Sequence, residues 1–412
     1  MDTLSTHCII AGGGPAGMMC GLLLARAGVD VWVLEKHKDF LRDFRGDTVH
    51  PSTLQILDEL GLLERFLKKP HDEVREIRAE IGKESFKVAD MSRLPTRAKF
   101  VALMPQWDFL DFLAEEARRY PAFHLAMEAE ITELLVRRKR IVGVKVKTPE
   151  GTGDMLARLV IGADGRRSRV RERARLTVKD FGAPFDVLWL RLPTEPSDPH
   201  EPVARFIGGS LFVMLHRGDY WQCALAIPKG GFAALKAEGL SAFLARLRTA
   251  AGFARDRVET IKSFDDVKLL TVTIDRLTRW ARPGLLCIGD AAHAMSPVGG
   301  VGINLAIQDA VAAANILSPV LARRRPSLAR LRRVQRRREW PTRVVQRFQV
   351  IVQNAVLAPT IRSQQTPRPP LPLYLLDRWA WLRQWPARFI GMGVRPEHVR
   401  SKAITPTDSA PS

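Results

Sequence analysis

Residues 8–17 read Cys-Ile-Ile-Ala-Gly-Gly-Gly-Pro-Ala-Gly, an apolar run that ends in a glycine-rich turn. The run predicts a buried strand, and Gly12, Gly14 and Gly17 have the spacing G-x-G-x-x-G that leads from a strand into a helix. The first glycine permits a tight turn, the second lets the backbone approach a pyrophosphate, and the third lets the helix pack closely on the strand. A second predicted strand ends at Glu35, where a carboxylate would accept hydrogen bonds from a ribose hydroxyl. This stretch therefore predicts an open α/β sheet that binds a dinucleotide.

A second glycine-rich stretch lies far downstream, where residues 285–304 read LLCIGDAAHAMSPVGGVGIN. Asp290 follows a predicted buried strand, at the carboxyl end where ligands of open α/β sheets bind, and a carboxylate there can accept hydrogen bonds from the ribityl chain of FAD. Residues 297–304 then begin a helix. Its positive end would stabilise an anionic reduced flavin by about 0.3–2 kcal/mol. Each motif alone also fits an ordinary tight strand-to-helix turn, but together they predict FAD as the bound dinucleotide.

With these motifs the chain resembles the class A flavoprotein monooxygenases, the para-hydroxybenzoate hydroxylase-like family, over roughly residues 5–320. A third family motif, implicated in binding both FAD and a pyridine nucleotide, is matched by Asp164 in the stretch GADGRRSRVR. Arg45 resembles the family's arginine that reaches FAD. Gln106 matches the position of an Arg or Gln near the adenosine end. Alternatively, Arg45 and Gln106 are a surface charge and a polar group at a helix start.

The family often has a glutamine where this chain has Val301, which removes an amide donor close to the flavin. The candidate cofactor-binding residues are Gly12, Gly14, Pro15, Ala16, Gly17, Glu35, Lys36, Arg45, Gln106, Asp164, Asp290, Pro297, Gly300, Gly302, Ile303 and Asn304.

The resemblance implies an α/β fold with a Rossmann-like FAD-binding domain, a discontinuous antiparallel-sheet substrate domain and a helical C-terminal region. The expected boundaries are residues 1–70, 98–179 and 269–325 for the FAD-binding domain, 71–97 and 180–268 for the substrate domain, 326–404 for the basic helical C-terminal region, and 405–412 for a disordered tail. Alternating apolar patterns between Gly, Pro and Asp turns support the sheet in the middle of the chain.

The substrate pocket is expected on that sheet, with Trp189, Arg191, His216, Tyr220 and Trp221 as candidate lining residues. Alternation along a strand sends Trp189 and Arg191 to the same face. A structural role is the alternative for each, because aromatic side chains in sheets usually belong to the core. The sequence offers no acid–base pair, so the catalytic residues stay unknown.

The resemblance implies a monooxygenase in which NADPH or NADH reduces FAD and O2 then gives a flavin C4a-hydroperoxide that hydroxylates a small aromatic or quinone-like substrate. The protein would position the ring and exclude water. A polyprenyl reductase or epoxidase of the same fold, acting on a hydrophobic alkene, is an alternative, as is a flavin-bearing binding protein. A halogenase is disfavoured because its W-x-W-x-I-P motif is absent.

The four cysteines are scattered through apolar contexts without a C-x-x-C pair, so no metal site and no redox dithiol is expected. No signal peptide is visible, and no apolar stretch approaches the ~20 residues of a membrane span. These features predict a cytoplasmic protein. Either a monomer or a homodimer is expected, and the sequence does not distinguish them.

The net charge of +20 is concentrated at the end of the chain, where residues 317–412 contain 19 Lys and Arg against 4 Asp and Glu. The same segment is rich in tryptophan, and a basic, tryptophan-bearing segment could lie peripherally on the anionic inner face of a membrane. The alternative is a set of helices packed on the FAD-binding domain with arginines in solvent. Nucleic acid binding is disfavoured because no stacking module or DNA-binding motif is present.

Overall fold

The structure is a computed structural model that describes residues 4–41, 48–199, 201–207, 209–363 and 367–404. It has the predicted mixed α/β architecture. One sheet is built around parallel strands, a second sheet is largely antiparallel, and helices dominate the C-terminal part of the chain.

In chain order the strands are β1 Leu4–Ala11, β2 Val31–Leu34, β3 Thr48–Val49, β4 Asp72–Val74, β5 Glu76–Ile81, β6 Glu84–Asp90, β7 Val101–Leu103, β8 Phe123–Ala126, β9 Glu130–Arg137, β10 Arg140–Thr148, β11 Gly151–Gly162, β12 Val178–Asp180, β13 Phe185–Pro193, β14 Val203–Ile207, β15 Ser210–His216, β16 Tyr220–Pro228, β17 Lys268–Leu270, β18 Asp275–Leu277, β19 Ala281–Arg282, β20 Leu285–Cys287 and β21 His293–Ala294. The α-helices are α1 Pro15–Arg26, α2 Pro51–Glu59, α3 Leu63–Phe66, α4 Gln106–Arg118, α5 Arg169–Arg173, α6 Phe232–Glu238, α7 Leu240–Ala251, α8 Gly302–Leu321, α9 Leu328–Val352, α10 Ala358–Arg362, α11 Leu371–Arg378 and α12 Gln384–Gly391. A π-helical turn, Gln353–Leu357, connects α9 to α10.

The eight-stranded sheet has the order β19-β20-β11-β1-β2-β8, and β10 and β9 extend it from β11. Strands β20, β11, β1, β2 and β8 run parallel to one another. Helices α1, α4 and α8 bury apolar side chains in the same core as this sheet. Since helices cover such a sheet, its central strands are nearly continuous hydrophobic runs, as in the Cys8–Ala11 part of β1.

The seven-stranded sheet has the order β17-β13-β16-β15-β14-β5-β6, and its pairs are antiparallel except β14 with β5. It therefore joins strands from both segments of the predicted substrate domain. One face packs against α7 and the 3-10 turn that follows it. The other face meets Val298, Leu357 and Ile361. This second face lies next to the glycine-rich stretch that precedes α8, and we call it the pocket face.

Strand β4 pairs with β7, and β7 also pairs with β3, in a separate three-stranded sheet. The start of the predicted 71–97 segment thus lies outside the seven-stranded sheet, which takes only β5 and β6 from it.

One helix of the described chain, Val298–Leu321, is long and apolar enough to cross a membrane by length and composition. The expectation of no such stretch was wrong in that sense, because the Ile, Leu, Val and Ala residues of this helix outweigh its few polar residues in the mean hydropathy. However, 78% of its most apolar window is buried inside the protein, where it packs against α1. Its apolar surface is accounted for by this core position.

The closing segment of the described chain, residues 395–404, returns to the eight-stranded sheet and its helices. The Val399 N–H donates to the Glu59 carboxylate at 2.8 Å, and the Ile404 N–H donates to the Arg26 carbonyl at 2.8 Å. The Arg26 guanidinium in turn donates to the Ser401 carbonyl at 3.0 Å. This closing segment is therefore tied to the ends of α1 and α2.

Candidate cofactor and substrate site

Four neighbouring parallel strands, β2, β1, β11 and β20, end at the same edge of the eight-stranded sheet, and their last residues pair in register. Gly12, Glu35, Asp164 and Asp290 follow directly or closely after these four strand ends. Residues that are far apart in the sequence thus meet at one edge, which is where ligands of open α/β sheets bind.

The first glycine-rich turn has the conformation that its spacing predicts. Gly12 has a φ of +98°, and a Cβ there would lie 2.6 Å from the Ala163 carbonyl oxygen. A Cβ on Gly17 would lie 1.9 Å from the Gly12 oxygen, whereas a Cβ on Gly14 would meet nothing within 4 Å. Gly12 and Gly17 are therefore required by close packing inside the protein, and the space at Gly14 is open. Pro15 and Ala16 begin α1 directly beside that space.

Glu35 connects the end of β2 to the glycine-rich turn. One of its carboxylate oxygens accepts the Gly13 N–H at 2.8 Å, and the other accepts the His37 N–H at 3.2 Å. Lys36 is exposed, and the half-buried Gln106 begins α4, which packs against α1.

Asp164 lies against the same turn, since a Cβ on Gly12 would come within 2.9 Å of its Cα. Its carboxylate accepts hydrogen bonds from the Ser168 hydroxyl at 2.5 Å and from the Val170 N–H at 3.1 Å. Burial raises the pKa of this carboxyl, against the opposing effect of these hydrogen bonds. The Asp164 side chain thus organises the turn that leads into α5.

Arg166 links two of the three motifs, because its Nε lies 3.1 Å from the Asp290 carboxylate. Both side chains are about 30% exposed, so the pair faces an accessible space at the sheet edge. Arg166 was not among the predicted site residues. The repeated arginines of the GADGRRSRVR stretch gave no indication of which one would turn toward Asp290.

The second glycine-rich stretch forms a tight loop before α8. Gly299 and Gly300 have φ values of +80° and +63°, and a Cβ on Gly300 would lie 2.9 Å from the Thr48 hydroxyl. That hydroxyl donates to the Gly300 carbonyl at 3.0 Å. Two further hydroxyls, from Ser52 and Thr53, donate to the Asn304 side-chain oxygen at 2.5 and 3.0 Å. The loop is therefore held against the start of α2.

The other predicted residues of this loop lie along the same backbone. Pro297 precedes the turn, Gly302 is the first residue of α8, and Ile303 is buried. Val301, where the family often has glutamine, packs in a small apolar cluster with Val345 of α9. A hydrophobic contact with α9 thus occupies the position of the family's amide.

A buried charge network supports the loop from below. The Asp309 carboxylate accepts the Gly289 N–H at 3.1 Å and lies 2.6 Å from His293 Nε2 and 3.0 Å from Arg338 Nε. Arg338 also lies 3.3 Å from the Glu397 carboxylate. Burial acts to raise the pKa of Asp309, but His293 and Arg338 hold it below its ordinary value. We call these four side chains, His293, Asp309, Arg338 and Glu397, the buried charge network.

A row of glutamines on α9 fixes the loop from the other side. The Gln346 amide donates to the carbonyls of Asp275 and Ala294 at 2.7 and 3.0 Å. Gln349 accepts the Ser296 N–H at 3.1 Å and donates to the carbonyls of Ser296 and Val298. These contacts were not predicted. The signal in the sequence is that Thr342, Gln346 and Gln349 recur at spacings of four and three residues, which places them on one side of a helix.

Trp189, Arg191 and Tyr220 lie on the pocket face, as alternation requires. Trp189 is part of the apolar cluster that includes Val298 and Leu357. Arg191 and Tyr220 lie farther along the same sheet, with the guanidinium 4.7 Å from the centre of the tyrosine ring. Of the predicted substrate residues, Trp189 is the one that this cluster brings beside the glycine-rich loop.

His216 and Trp221 lie on the opposite face, which corrects their assignment to the pocket. Trp221 is fully buried beneath α7, and its indole N–H donates to Asp198 at 2.8 Å. His216 packs edge-on against Trp221. Neighbouring residues of a strand point to opposite faces, so Tyr220 and Trp221 cannot both line one pocket.

Arg45 lies outside the described residues, and so does the predicted tail from residue 405 onward. The four cysteines are buried, and burial raises the pKa of Cys20 to about 12. Within the described part of the chain, no three His, Cys, Asp or Glu side chains are grouped to hold a metal ion.

Comparisons with known proteins agree with this arrangement. A family model described as an FAD binding domain matches residues 5–348. The 6-methylpretetramide 4-monooxygenase of Streptomyces rimosus is 34% identical over 377 residues, which are 89% of this chain and 88% of that protein. A rifampicin monooxygenase of Streptomyces venezuelae is 31% identical over 73% of this chain, which spans 62% of that protein's length.

Solved structures show the same fold. An anhydrotetracycline hydroxylase from Streptomyces rimosus superposes with a TM-score of 0.74 at 22% identity, over 95% of this chain and 77% of that one. A p-nitrophenol 4-monooxygenase from Pseudomonas putida superposes with a TM-score of 0.71 at 21% identity, over 93% and 94% of the two chains. The motifs, the family match over most of the chain and the relative above 30% identity lead to one conclusion: the chain belongs to the class A, para-hydroxybenzoate hydroxylase-like family of FAD-dependent monooxygenases.

Proposed function

We propose that this enzyme hydroxylates a fused-ring phenolic or quinone-like aromatic compound with FAD, NADPH or NADH, and O2. The observation that carries the proposal is the pocket face, an apolar sheet surface that lies against the glycine-rich loop through Val298. The name of the Streptomyces rimosus relative, a 6-methylpretetramide 4-monooxygenase matched over most of both chains, supports an extended aromatic substrate.

The strand-end residues fit FAD. The open space at Gly14, with the N-terminus of α1 beside it, suits a pyrophosphate. Glu35 at the end of β2 would hold the ribose, and Asp290 with Arg166 would face the ribityl chain. Gly300, Gly302 and their neighbours would lie along the flavin ring. Bound FAD supplies electron transfer from the nicotinamide and the reaction with O2.

The chain's own contribution to the reaction is to orient the substrate and keep water away from the reacting atoms. Apolar side chains of β13, β16 and β15 would form one wall of the pocket, and Leu357 and Ile361 of the helical region pack against this wall. A dry, shaped cavity prevents unproductive breakdown of reactive oxygen species before oxygen transfer. Orienting the substrate and excluding water require no acid–base pair of side chains, and none was predicted from the sequence.

The test begins with the visible absorption spectrum of the purified protein, which we expect to show bound flavin. Added phenols with fused rings, such as 1-naphthol, should stimulate NADPH or NADH oxidation, and labelled O2 should place its oxygen in the product. Stimulated oxidation without label in an organic product would contradict hydroxylation. A reduced alkene as product would indicate the reductase alternative.

We further propose that the enzyme is cytoplasmic and binds peripherally to an anionic membrane surface through residues 371–388, the aromatic segment. None of the residues of α11 is buried. Leu371, Trp381 and Trp385 are 77%, 59% and 70% exposed. The exposed Arg378 lies among them in the sequence, and the exposed Arg388 follows. Tryptophan and arginine together suit the boundary between anionic headgroups and acyl chains.

Flotation with lipid vesicles tests this second proposal. The protein should float with phosphatidylcholine vesicles that contain phosphatidylglycerol, less so at high salt, and poorly with phosphatidylcholine alone. Trp381→Ser with Trp385→Ser should abolish flotation, whereas Trp340→Ser, at an exposed tryptophan outside the segment, should not. A protein that fails to float with the anionic vesicles at both low and high salt would refute the proposal. So would a homodimer in solution that dissociates in the double variant, because the segment would then bind a second copy.

A further inference from the structure

The inner side of α9 carries a polar row that continues beyond the residues already described. Gln346 and Gln349 use their amides to bind the loop backbone at residues 294, 296 and 298. Gln353 occupies the next position of this row, one helical turn beyond Gln349. It is 1% exposed, so its amide is as fully buried as those of the other two.

Gln353 differs from the other two in its hydrogen bonding. Its Nε2 has no hydrogen-bond partner within the described part of the chain. Buried amide groups almost always have partners, because leaving one without any is costly. A buried donor that the chain itself leaves unmatched is available to an atom of a bound molecule.

The surroundings of Gln353 identify the place of that ligand. One turn earlier, Gln349 contacts the Val298 carbonyl of the glycine-rich loop. One turn later, Leu357 packs on the pocket face beside Trp189. Gln353 thus lies between the loop expected along the flavin and the sheet expected to hold the substrate.

The backbone at this point is unusual as well. Residues 353–357 form a π-helical turn, and such turns occur frequently at functional sites. This turn places Gln353 and Leu357, four residues apart, on nearly the same side of the helix, and Leu357 packs on the pocket face.

We propose that the Gln353 amide donates a hydrogen bond to an oxygen atom of the aromatic substrate, a phenolate or ring carbonyl, and so selects for oxygenated rings. This inference rests on the proposed function and names the substrate group that the pocket recognises. Gln353 is a positioning residue here. Apart from the Trp189 indole, the side chains clustered with Leu357 are apolar, so the Gln353 amide would orient a flat ring that these apolar contacts hold without a fixed direction.

The test compares two probes that differ by one oxygen, 1-naphthol and naphthalene, titrated into the FAD-loaded enzyme and followed by the flavin absorbance change. Gln353→Leu and Gln353→Met remove the donor. Asn354→Leu, at the neighbouring exposed residue of the same turn, is the matched control. We expect either Gln353 variant to bind 1-naphthol about tenfold more weakly, the usual effect of one lost hydrogen bond. Naphthalene binding should change less than twofold.

The outcomes separate this inference from the proposed function. A wild-type enzyme that responds to neither probe would overturn both. Equal weakening of the two probes, or no weakening of either, would overturn the role of Gln353 while leaving the aromatic pocket in place. If the variants instead release FAD more readily and still prefer 1-naphthol, the amide serves the cofactor and the inference is wrong.

Discussion

Replacement of Arg338 by methionine should destabilise the enzyme strongly. Arg338 is 1% exposed, and its guanidinium neutralises Asp309, which is fully buried, together with Glu397. Methionine preserves much of the volume but leaves the Asp309 carboxylate with only His293 and the Gly289 N–H. Removing one partner of a buried ion pair costs about 3–5 kcal/mol. We expect a loss of that size in the free energy of unfolding, measured by urea denaturation with circular dichroism.

The variant should also bind FAD less firmly, because the Asp309 carboxylate accepts the Gly289 N–H at the start of the loop that carries Asp290. Flavin release in urea should therefore begin at a lower concentration in Arg338→Met than in the wild type. The double variant with Asp309→Leu removes both charges, and apolar replacement of a whole ion pair is often nearly neutral. It should be more stable than Arg338→Met alone.

Two results would refute this reasoning. A single variant that loses less than about 1 kcal/mol would mean that Arg338 is not needed to neutralise Asp309. A double variant whose loss equals the sum of the two single losses would mean that the two side chains do not interact. Arg343→Met, at an exposed arginine of the same helix, provides the control and should change the stability little.

Three further predictions concern the motifs and the substrate domain. Gly14→Val should abolish FAD retention without unfolding the protein, because valine fills a space that no protein atom occupies; a variant with full flavin content would contradict our placement of the pyrophosphate. The hydrogen bonds from Arg257 hold the pKa of Asp198 well below its ordinary value, so this interaction stabilises the folded state above about pH 4 and its contribution falls as the pH drops further. The stability difference between wild type and Asp198→Asn should accordingly be constant near neutral pH and shrink in acid, and a difference that grows in acid would show the opposite sign. The buried thiols should resist iodoacetamide in the native enzyme and react after denaturation, since burial raises the pKa of Cys20 to about 12; rapid labelling of the native protein would contradict their burial.

Local sequence patterns predicted the part of the site that depends on the backbone. Gly12 and Gly17 are required because a side chain would collide with the neighbouring turn, and that constraint appears directly as a spacing of glycines. The fold class followed from the same motifs and is confirmed by the structure. Asp290 was predicted to lie close to the end of a strand, and it follows β20. A buried strand is visible in the sequence as a short apolar run, so the position of the residues that follow it can be predicted.

These local patterns do not predict contacts between residues that are far apart in the sequence. No local signal connects Asp309 to Arg338, or either to Glu397, since the pairing depends on how α8, α9 and the closing segment pack. The assignment of Trp221 was wrong for a different reason. The alternation rule that placed Trp189 and Arg191 on one face also separates Tyr220 from Trp221, and the strand register decides which of them faces the pocket.

The closing segment has a consequence for how the enzyme is made. Residues 395–404 complete contacts to α1 and α2, and Glu397 completes the neutralisation of Arg338. The paired residues are far apart in the sequence, 375 residues for Arg26 and Ser401 and 340 for Glu59 and Val399, so α1 and α2 are synthesised well before this segment. The nucleotide-binding sheet and its helices therefore gain these contacts only after residues 395–404 have been synthesised, and a protein cut short before residue 395 would lack them.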